Sequence, residues 1–157
     1  MSGEDDIVQA VLARLAALDA ALTEDLDALE GLPASPQAIA EMTPARRVAS
    51  RALLKTVEQL EDQLARLFRL IPKLLLVDTS RWYAQDHANY AEKLGIIEDA
   101  FAWTQIIKLR NRLVHDYPLD PAAQFALLTE AFHAVVPLRS AVEAARAYVA
   151  REGLTDD

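Results

Sequence analysis

The sequence predicts an all-α protein, and three observations support this fold class. The 157 residues include only four glycines and are rich in alanine and leucine, which favours helices over strands. Apolar residues recur at three- and four-residue steps through long segments. Short loops containing proline or glycine separate these segments. We therefore expect a single domain over residues 1–157, folded as an antiparallel bundle of about five helices.

The first two predicted helices are long and carry clear apolar stripes. The first runs from about Asp5 to Glu30 and is broken by the loop Gly31–Pro36. The second begins at the N-cap Thr43 with Pro44 in the first helical position, and Pro72 should end or kink it. The two stripes comprise Val11, Leu15, Leu18, Leu22, Leu26 and Leu29, then Leu53, Val57, Leu60, Leu64, Leu67 and Ile71. They are expected to pack inside the bundle, and part of this surface or of the fourth helix is a candidate homodimer face.

Three shorter or kinked helices complete the prediction, each bounded by a standard capping or breaking residue. They cover about Asp86–Leu94, which Gly95 ends; about Glu98–Asp116, which Pro118 ends; and a fifth helix to about Arg151, which begins at Asp120 and Pro121 and contains Pro137. Pro137 should kink the fifth helix.

Composition limits the classes of function. The chain has no cysteine, which excludes disulfides and thiolate metal sites. Its net charge is -8, so it should not bind nucleic acid through its overall field, and contact with RNA would need a local basic cluster. The acidic N-terminus MSGEDDIVQ argues against a signal peptide, and no apolar run approaches about 20 residues. We expect a cytoplasmic protein that binds neither membrane nor DNA.

The most informative stretch is KLRNRLVHDY at the end of the fourth predicted helix. Arg110 stands four residues after Ile106 and four before Val114, which places it in the apolar sector of the helix. An arginine in that position must find an anion or a set of acceptors, because burying it unpaired is costly. That partner could be a ligand, or an acidic residue on another helix in a structural salt bridge.

Polar side chains surround this arginine in the same turns. Asn111 and His115 share a neighbouring face, and Lys108 and Arg112 cluster with them as candidate RNA or phosphate contacts. On an ideal helix Arg110 and His115 point about 140° apart, so two copies of the helix could be needed to build one site. A histidine in a last helical turn can also serve only as a partner of the helix dipole.

The stretch NYAEKLGIIEDAFAWTQIIKLRNRLVHDYPLD resembles the HEPN superfamily, and specifically its HepT-like proteins. That family carries an arginine, four residues, a histidine, any residue and a tyrosine, which here are Arg110, His115 and Tyr117. Asn111 directly after the arginine and the turn Leu94–Gly95–Ile96 also match. The resemblance is clear over about residues 86–120.

The resemblance implies a HEPN-like bundle that dimerises around the motif helix and acts as a metal-independent endoribonuclease toxin without a cofactor. Arg110 and His115 would form the catalytic pair, with Asn111 as the supporting polar residue. The antitoxin of such a type VII-like pair is a MntA-like minimal nucleotidyltransferase, which transfers AMP to the motif tyrosine, here Tyr117. An AMP group there is expected to place negative charge beside Arg110 and to compete with the RNA substrate, for which tRNA is one candidate.

Two alternatives remain open from the sequence. The chain could be a non-catalytic subunit of a minimal nucleotidyltransferase that binds a nucleotide or substrate, or a helical dimer that only scaffolds a partner. A second basic cluster, comprising Arg46, Arg47, Arg51 and Lys55, lies at the start of the second helix. It is read as a solvated face or as a contact for RNA or the antitoxin.

Overall fold

The computed structural model describes residues 3–115 and 117–155, and within these ranges the chain forms six α-helices and no strand. The helices are α1 (Gly3–Leu29), α2 (Pro36–Ala40), α3 (Pro44–Leu74), α4 (Ala84–Lys93), α5 (Ala100–His115) and α6 (Pro121–Glu152). The all-α prediction is confirmed. Asp116, at which the fourth predicted helix was expected to end, lies outside the described residues.

Helix α2 was not predicted from the sequence: the predicted loop covers Gly31–Pro36, and no helix was assigned between Pro36 and Thr43. The Ser35 hydroxyl accepts a hydrogen bond from the Ala38 amide at 3.2 Å, and Pro36 occupies the first helical position. This is the same pairing of a hydroxyl N-cap with proline that marks the start of α3. Ile39 is buried and attaches this single turn to the core.

Helix α3 is the central element of the bundle. The Thr43 hydroxyl caps it by accepting from the Arg46 amide at 3.2 Å, as predicted. All six residues of its predicted stripe are buried. The helix continues past Pro72 to Leu74, so this proline, which was predicted to end or kink the helix, does not end it.

Helices α1 and α3 form the most extensive contact of the bundle and run antiparallel. The last carbonyl of α1, that of Leu29, accepts from Arg46 Nε in the first turn of α3 at 2.7 Å. Further along, the Thr56 hydroxyl donates to the Asp25 carboxylate at 2.6 Å. The order of these contacts reverses between the helices, which establishes the antiparallel direction.

Helix α5 lies against α3, also antiparallel. The rings of Phe68 and Trp103 lie with centroids 5.7 Å apart. Seven residues further along α5, Arg110 contacts Glu61, which lies seven residues before Phe68 on α3. Buried side chains on one face of α5 fix its rotation about its own axis; they are Trp103, Ile106 and Leu109. The same face carries Arg110 toward α3.

Helix α6 is long and apolar, and it closes the bundle. An 18-residue window within Pro121–Glu152 has a mean hydropathy of 1.2. By length and composition alone this helix could cross a membrane, although it contains no uninterrupted apolar run of about 20 residues. Of that window, 44% is buried inside the domain, and such helices are also common as core helices of soluble proteins. Arg139 on this helix pairs with Asp19 of α1 at 3.0 Å. The structure is compatible with a soluble protein.

Candidate functional site

The amino end of α5 is held by two carboxylates. Asp99 caps the helix by accepting from the Phe101 and Ala102 amides at 2.9 and 3.0 Å. Glu92, at the end of α4, accepts from the Ala100 amide at 2.6 Å. These bonds satisfy amides that the first turn of a helix leaves free, and they fix where α5 begins.

Arg110 finds its anion inside the protein. Its Nε donates to Glu61 Oε2 at 2.9 Å, across the interface between α5 and α3. Glu61 is 1% exposed, whereas the Arg110 side chain remains 28% exposed. The sequence left two possible partners for this arginine, a ligand or an acidic residue on another helix. The structure shows the acidic residue.

The environment of Glu61 is electrostatically unusual. Burial raises the pKa of the Glu61 carboxyl above its ordinary value of 4.5, and the hydrogen bond and charge of Arg110 oppose that rise. A buried carboxylate has few partners that can stabilise its charged form. The charged form of Glu61 therefore depends on the hydrogen bond and the charge of Arg110. The two terminal nitrogens of Arg110 donate no hydrogen bond within residues 3–115 and 117–155, and they remain available to an external acceptor.

A small cavity of about 40 Å³ adjoins this ion pair, lined by residues that include Trp103 and His87. His87 Nδ1 is buried and has no hydrogen-bond partner in the described part of the chain. Desolvation lowers the pKa of His87, against a backbone hydrogen bond at Phe68 that raises it. The cavity has room for a water molecule beside the ion pair.

The polar side chains of the last turns of α5 differ in how they are held. Asn111, His115 and Lys108 are exposed and make no side-chain hydrogen bond or ion pair among the described residues. Arg112 is ion-paired with Glu130 of α6, and both side chains are about half exposed. Asn111, His115 and Lys108 are therefore open to an incoming ligand, whereas Arg112 already has a carboxylate partner.

One chain does not bring Arg110 and His115 into a common cleft among those formed by the described residues. Arg110 points toward α3 and lines the small cavity next to Glu61, while His115 is exposed at the end of α5. Their divergence agrees with the angular separation of about 140° expected for positions five apart on a helix.

Tyr117 contacts a different part of the molecule, the first half of α3. The Arg51 guanidinium lies over the Tyr117 ring, with Cζ 5.4 Å from the ring centroid, within the range of a cation–π interaction. Both residues line a cleft of about 440 Å³ between α3, α5 and α6, hereafter the Tyr117 groove. The other side chains of the groove are Leu54, Lys55, Glu58, Leu113, Val114, Leu119 and Leu127.

The second basic cluster divides into two pairs with different roles. Arg46 donates to the carbonyls of Leu29 and Gly31 at 2.7 and 3.3 Å, and Arg47 donates to the Met42 carbonyl at 3.0 Å. These two arginines hold the end of α1 and its loop. Arg51 and Lys55, one and two turns further along α3, line the Tyr117 groove instead.

A further cleft lies between α5 and α6. This α5–α6 groove encloses about 630 Å³ and includes the buried side chains of Trp103, Ile106 and Leu109 in its lining. Val136, 71% exposed, and Pro137 belong to its α6 side. An apolar surface of this kind commonly meets another surface.

Trp82 belongs to an aromatic cluster with two residues of α4. Trp82 packs edge-on against His87 at 5.2 Å and against Tyr90 at 5.3 Å between ring centroids. Within residues 3–115 and 117–155, no group of three or more His, Cys, Asp or Glu side chains is arranged to hold a metal ion. Sequence reasoning missed Glu61, although its position four residues after Val57 and three before Leu64 puts a charge inside the apolar stripe.

In comparisons with known proteins, no protein-family model, no curated protein and no solved structure gave a significant match. The resemblance to HEPN proteins therefore depends on the motif and its neighbouring residues.

Proposed function

We propose that the chain is a HepT-like member of the HEPN superfamily and acts as a metal-independent endoribonuclease toxin. The observation that carries the proposal is the arrangement at the carboxyl end of α5. There Arg110 is anchored by a buried carboxylate, His115 and Asn111 are open to solvent, and Tyr117 contacts a separate basic groove.

Arg110 would bind the scissile phosphate. Glu61 occupies its Nε and fixes the direction of the guanidinium, while the terminal nitrogens can donate paired hydrogen bonds to phosphoryl oxygens. A cation held in advance stabilises the charge that develops on those oxygens without reorganising during the reaction. Asn111, exposed on the adjacent position, can orient either the phosphate or the histidine.

His115 would move the protons of the reaction. The ribose 2′-hydroxyl attacks the adjacent phosphorus and loses its proton, the bond from phosphorus to the 5′-oxygen breaks, and the leaving oxygen gains a proton. The products are a cyclic 2′,3′-phosphate and a free 5′-hydroxyl. An imidazole ring can both accept and donate a proton, which suits His115 to accept the first proton or donate the second.

A homodimer would supply the two groups from different copies. Because Arg110 and His115 diverge on one helix, a second α5 offers its own histidine to the arginine of the first. The α5–α6 groove, which runs along α5 from its amino end to Arg112, is the surface that a second copy would cover.

Tyr117 would be the point of control. A MntA-like nucleotidyltransferase antitoxin would transfer AMP to it: the tyrosine oxygen attacks the α-phosphorus of ATP, loses its proton and releases pyrophosphate. The cation in contact with the Tyr117 ring is Arg51, so a phosphodiester on this tyrosine would lie beside Arg51 as well as at the end of the motif helix.

One observation favours a second candidate, a non-catalytic subunit that binds a nucleotide for such a nucleotidyltransferase. The ion pair with Glu61 accounts for Arg110 in the apolar sector without any ligand, and the nearby carboxylate offsets its charge. In that case Arg110 would be structural and RNA would not be cleaved.

Growth after induced expression tests the proposal in cells. Expression of the chain alone should inhibit growth, and His115→Ala should remove the inhibition at an equal level of soluble protein. An exposed histidine can be replaced without disturbing the core, so a folded His115→Ala protein that remains equally toxic would contradict the proposed catalysis.

A further inference from the structure

Tyr83 is an exposed aromatic residue whose backbone is fixed at the start of α4. Its amide donates to Asp86 Oδ2 at 2.8 Å, and its carbonyl accepts from the Asp86 and His87 amides at 3.0 and 3.2 Å. The Tyr83 side chain is 80% exposed, whereas the ring of Trp82 before it packs against those of His87 and Tyr90. An exposed ring on a fixed backbone is a surface on which a flat group can stack.

Tyr83 lies close to Arg110, where the first turn of α4 packs against α5. Ala84, the next residue, lines the same small cavity as Arg110. Gln85 holds the two helices together, because its Oε1 accepts from the Thr104 hydroxyl at 2.6 Å. The exposed ring therefore adjoins the arginine that is proposed to bind the scissile phosphate.

Three exposed cations from three different segments lie near this ring. Arg69 of α3 lines the cavity, and Arg81 precedes Tyr83 by two residues. Lys108 lies one helical turn after the α5 residue that Gln85 contacts. None of the three cations forms an ion pair with a carboxylate within residues 3–115 and 117–155. In a chain with a net charge of -8, they form a local basic cluster that the sequence did not reveal.

An exposed aromatic ring among unpaired cations is the combination that binds single-stranded nucleic acid. The cations neutralise phosphates, and the ring stacks on a base whose face is accessible. In an RNA duplex the faces of the bases are covered by the neighbouring pairs, so a duplex offers the cations its phosphates but offers the ring nothing.

We propose that Tyr83 makes the chain selective for single-stranded RNA by stacking on an unpaired base next to the phosphate on Arg110. Arg69, Arg81 and Lys108 would bind neighbouring phosphates of the same strand. The position of a phosphate on Arg110 rests on the proposed function, but stacking on Tyr83 can be measured as binding without any cleavage.

Fluorescence anisotropy with a short labelled RNA tests the selectivity. The protein is His115→Ala, which is expected to bind the strand without cleaving it, and the duplex probe is the same strand annealed to its complement. At about 0.15 M salt the single strand should bind at least about tenfold more tightly than the duplex, because only the single strand can stack on the ring. Equal or tighter binding of the duplex, or no binding of the single strand, would overturn the proposal.

Substitutions of Tyr83 in the same protein separate stacking from a structural role. Tyr83→Ala should weaken binding of the single strand by about fivefold to a hundredfold and leave binding of the duplex unchanged. Tyr83→Trp keeps an aromatic ring and should restore the affinity. Phe101→Ala is the matched control, because Phe101 is 81% exposed in the first turn of α5, and its affinity should stay within about twofold of the parent. Unchanged binding by Tyr83→Ala, or no recovery in Tyr83→Trp, would refute the stacking site.

Substitutions of the cations locate the phosphates. Arg69→Gln and Lys108→Gln each remove one phosphate contact, which should weaken binding and lower the slope of log affinity against log salt by about 0.7. Arg66→Gln makes the same change at another exposed arginine of α3, which is not among the described residues that line the cavity, and should leave both quantities unchanged. An equal loss in all three variants would contradict the assignment of the phosphates to this cluster.

Cleavage kinetics distinguish this proposal from the proposed function. In the otherwise unchanged protein, Tyr83→Ala should raise the KM for single-stranded RNA more than it lowers kcat, because the ring binds the strand away from the reacting atoms. Binding that depends on Tyr83 without cleavage by the parent would refute the nuclease and support the stacking site. Cleavage by the parent with an unchanged KM for Tyr83→Ala would refute the stacking site alone.

Discussion

Replacing Arg110 with alanine should destabilise the fold, because Glu61 depends on it. The substitution removes the guanidinium that donates to Glu61 Oε2 at 2.9 Å and leaves the carboxylate, 1% exposed, without its hydrogen-bond partner. Breaking a buried pair from one side costs about 3–5 kcal/mol, and the 28% exposure of the Arg110 side chain favours the lower end, about 3 kcal/mol.

The assay is thermal and urea unfolding of the purified variants. For a domain of this size a loss of about 3 kcal/mol lowers the melting temperature by about 6–12 °C. Arg112→Ala is the matched control, two residues along the same helix, because its pair with Glu130 is about half exposed on both sides. An exposed pair contributes about 0–1 kcal/mol, so the control should lose little stability.

The cost of Arg110→Ala should also depend on pH. The pKa of Glu61 is raised in the folded protein, so the folded state holds this proton above pH 4.5, where the unfolded chain releases it. Stability from this group is therefore present below pH 4.5 and lost as pH rises through the folded pKa. Removing Arg110 removes the hydrogen bond and the charge that oppose the rise in the Glu61 pKa. Glu61 of the variant therefore takes up its proton more readily as pH falls, and the difference in stability between parent and variant should shrink from pH 7 toward pH 4.5.

A double substitution, Glu61→Leu with Arg110→Leu, supplies the decisive comparison. Replacing both partners by apolar residues should restore stability to within about 1.5 kcal/mol of the parent, because no buried charge is left unpaired. The reasoning is refuted if Arg110→Ala is no less stable than Arg112→Ala, or if its cost is the same at both ends of the pH range. The double variant also allows loss of activity to be measured in a folded protein.

The remaining predictions concern the proposed dimer and a helix cap. If two copies associate through the α5–α6 groove, the parent protein should be a dimer in light scattering, and Val136→Glu, which introduces a charge on the α6 side of the groove, should be a monomer. Val48→Glu makes the same change at another exposed valine and should remain a dimer; equal behaviour of the two variants would contradict a dimer through this groove. Thr43→Ala removes the acceptor of the Arg46 amide and should cost about 1 kcal/mol, seen as a melting temperature about 2–4 °C lower; an unchanged melting temperature would show that the cap adds nothing.

The helices could be predicted from the sequence because their signals are local. Apolar spacing and the cap at Thr43 were sufficient for α3, and the cap at Asp120 accepts from the Ala123 amide at 3.0 Å as expected. The turn α2 was missed although Ser35 and Pro36 carry the same signal, since a segment of one turn shows no periodicity. Pro72 was given too much weight, because a proline close to the end of a well-packed helix leaves the preceding turns intact.

The contacts of the candidate site could be predicted only in part. The position of Arg110 in an apolar sector correctly implied a partner, and Glu61 sits in the corresponding sector of α3, so two buried charges of opposite sign could have been paired. The contact between Arg51 and Tyr117 joins residues 66 positions apart, and no local pattern indicates it. The basic cluster at the start of α3 looked uniform in sequence, yet Arg46 holds loop carbonyls while Arg51 faces the groove.

Cleavage of RNA by the purified, unmodified protein is the direct test of the proposed endoribonuclease activity. The assay would follow a mixed RNA substrate, including tRNA, in the presence of a chelator, with the parent protein, His115→Ala and the exposed-site control Arg66→Gln prepared in the same way. We expect fragments ending in cyclic 2′,3′-phosphates from the parent and the control, and none from folded His115→Ala. Equal cleavage by His115→Ala, or intact RNA with the folded parent protein, would contradict the proposed endoribonuclease activity.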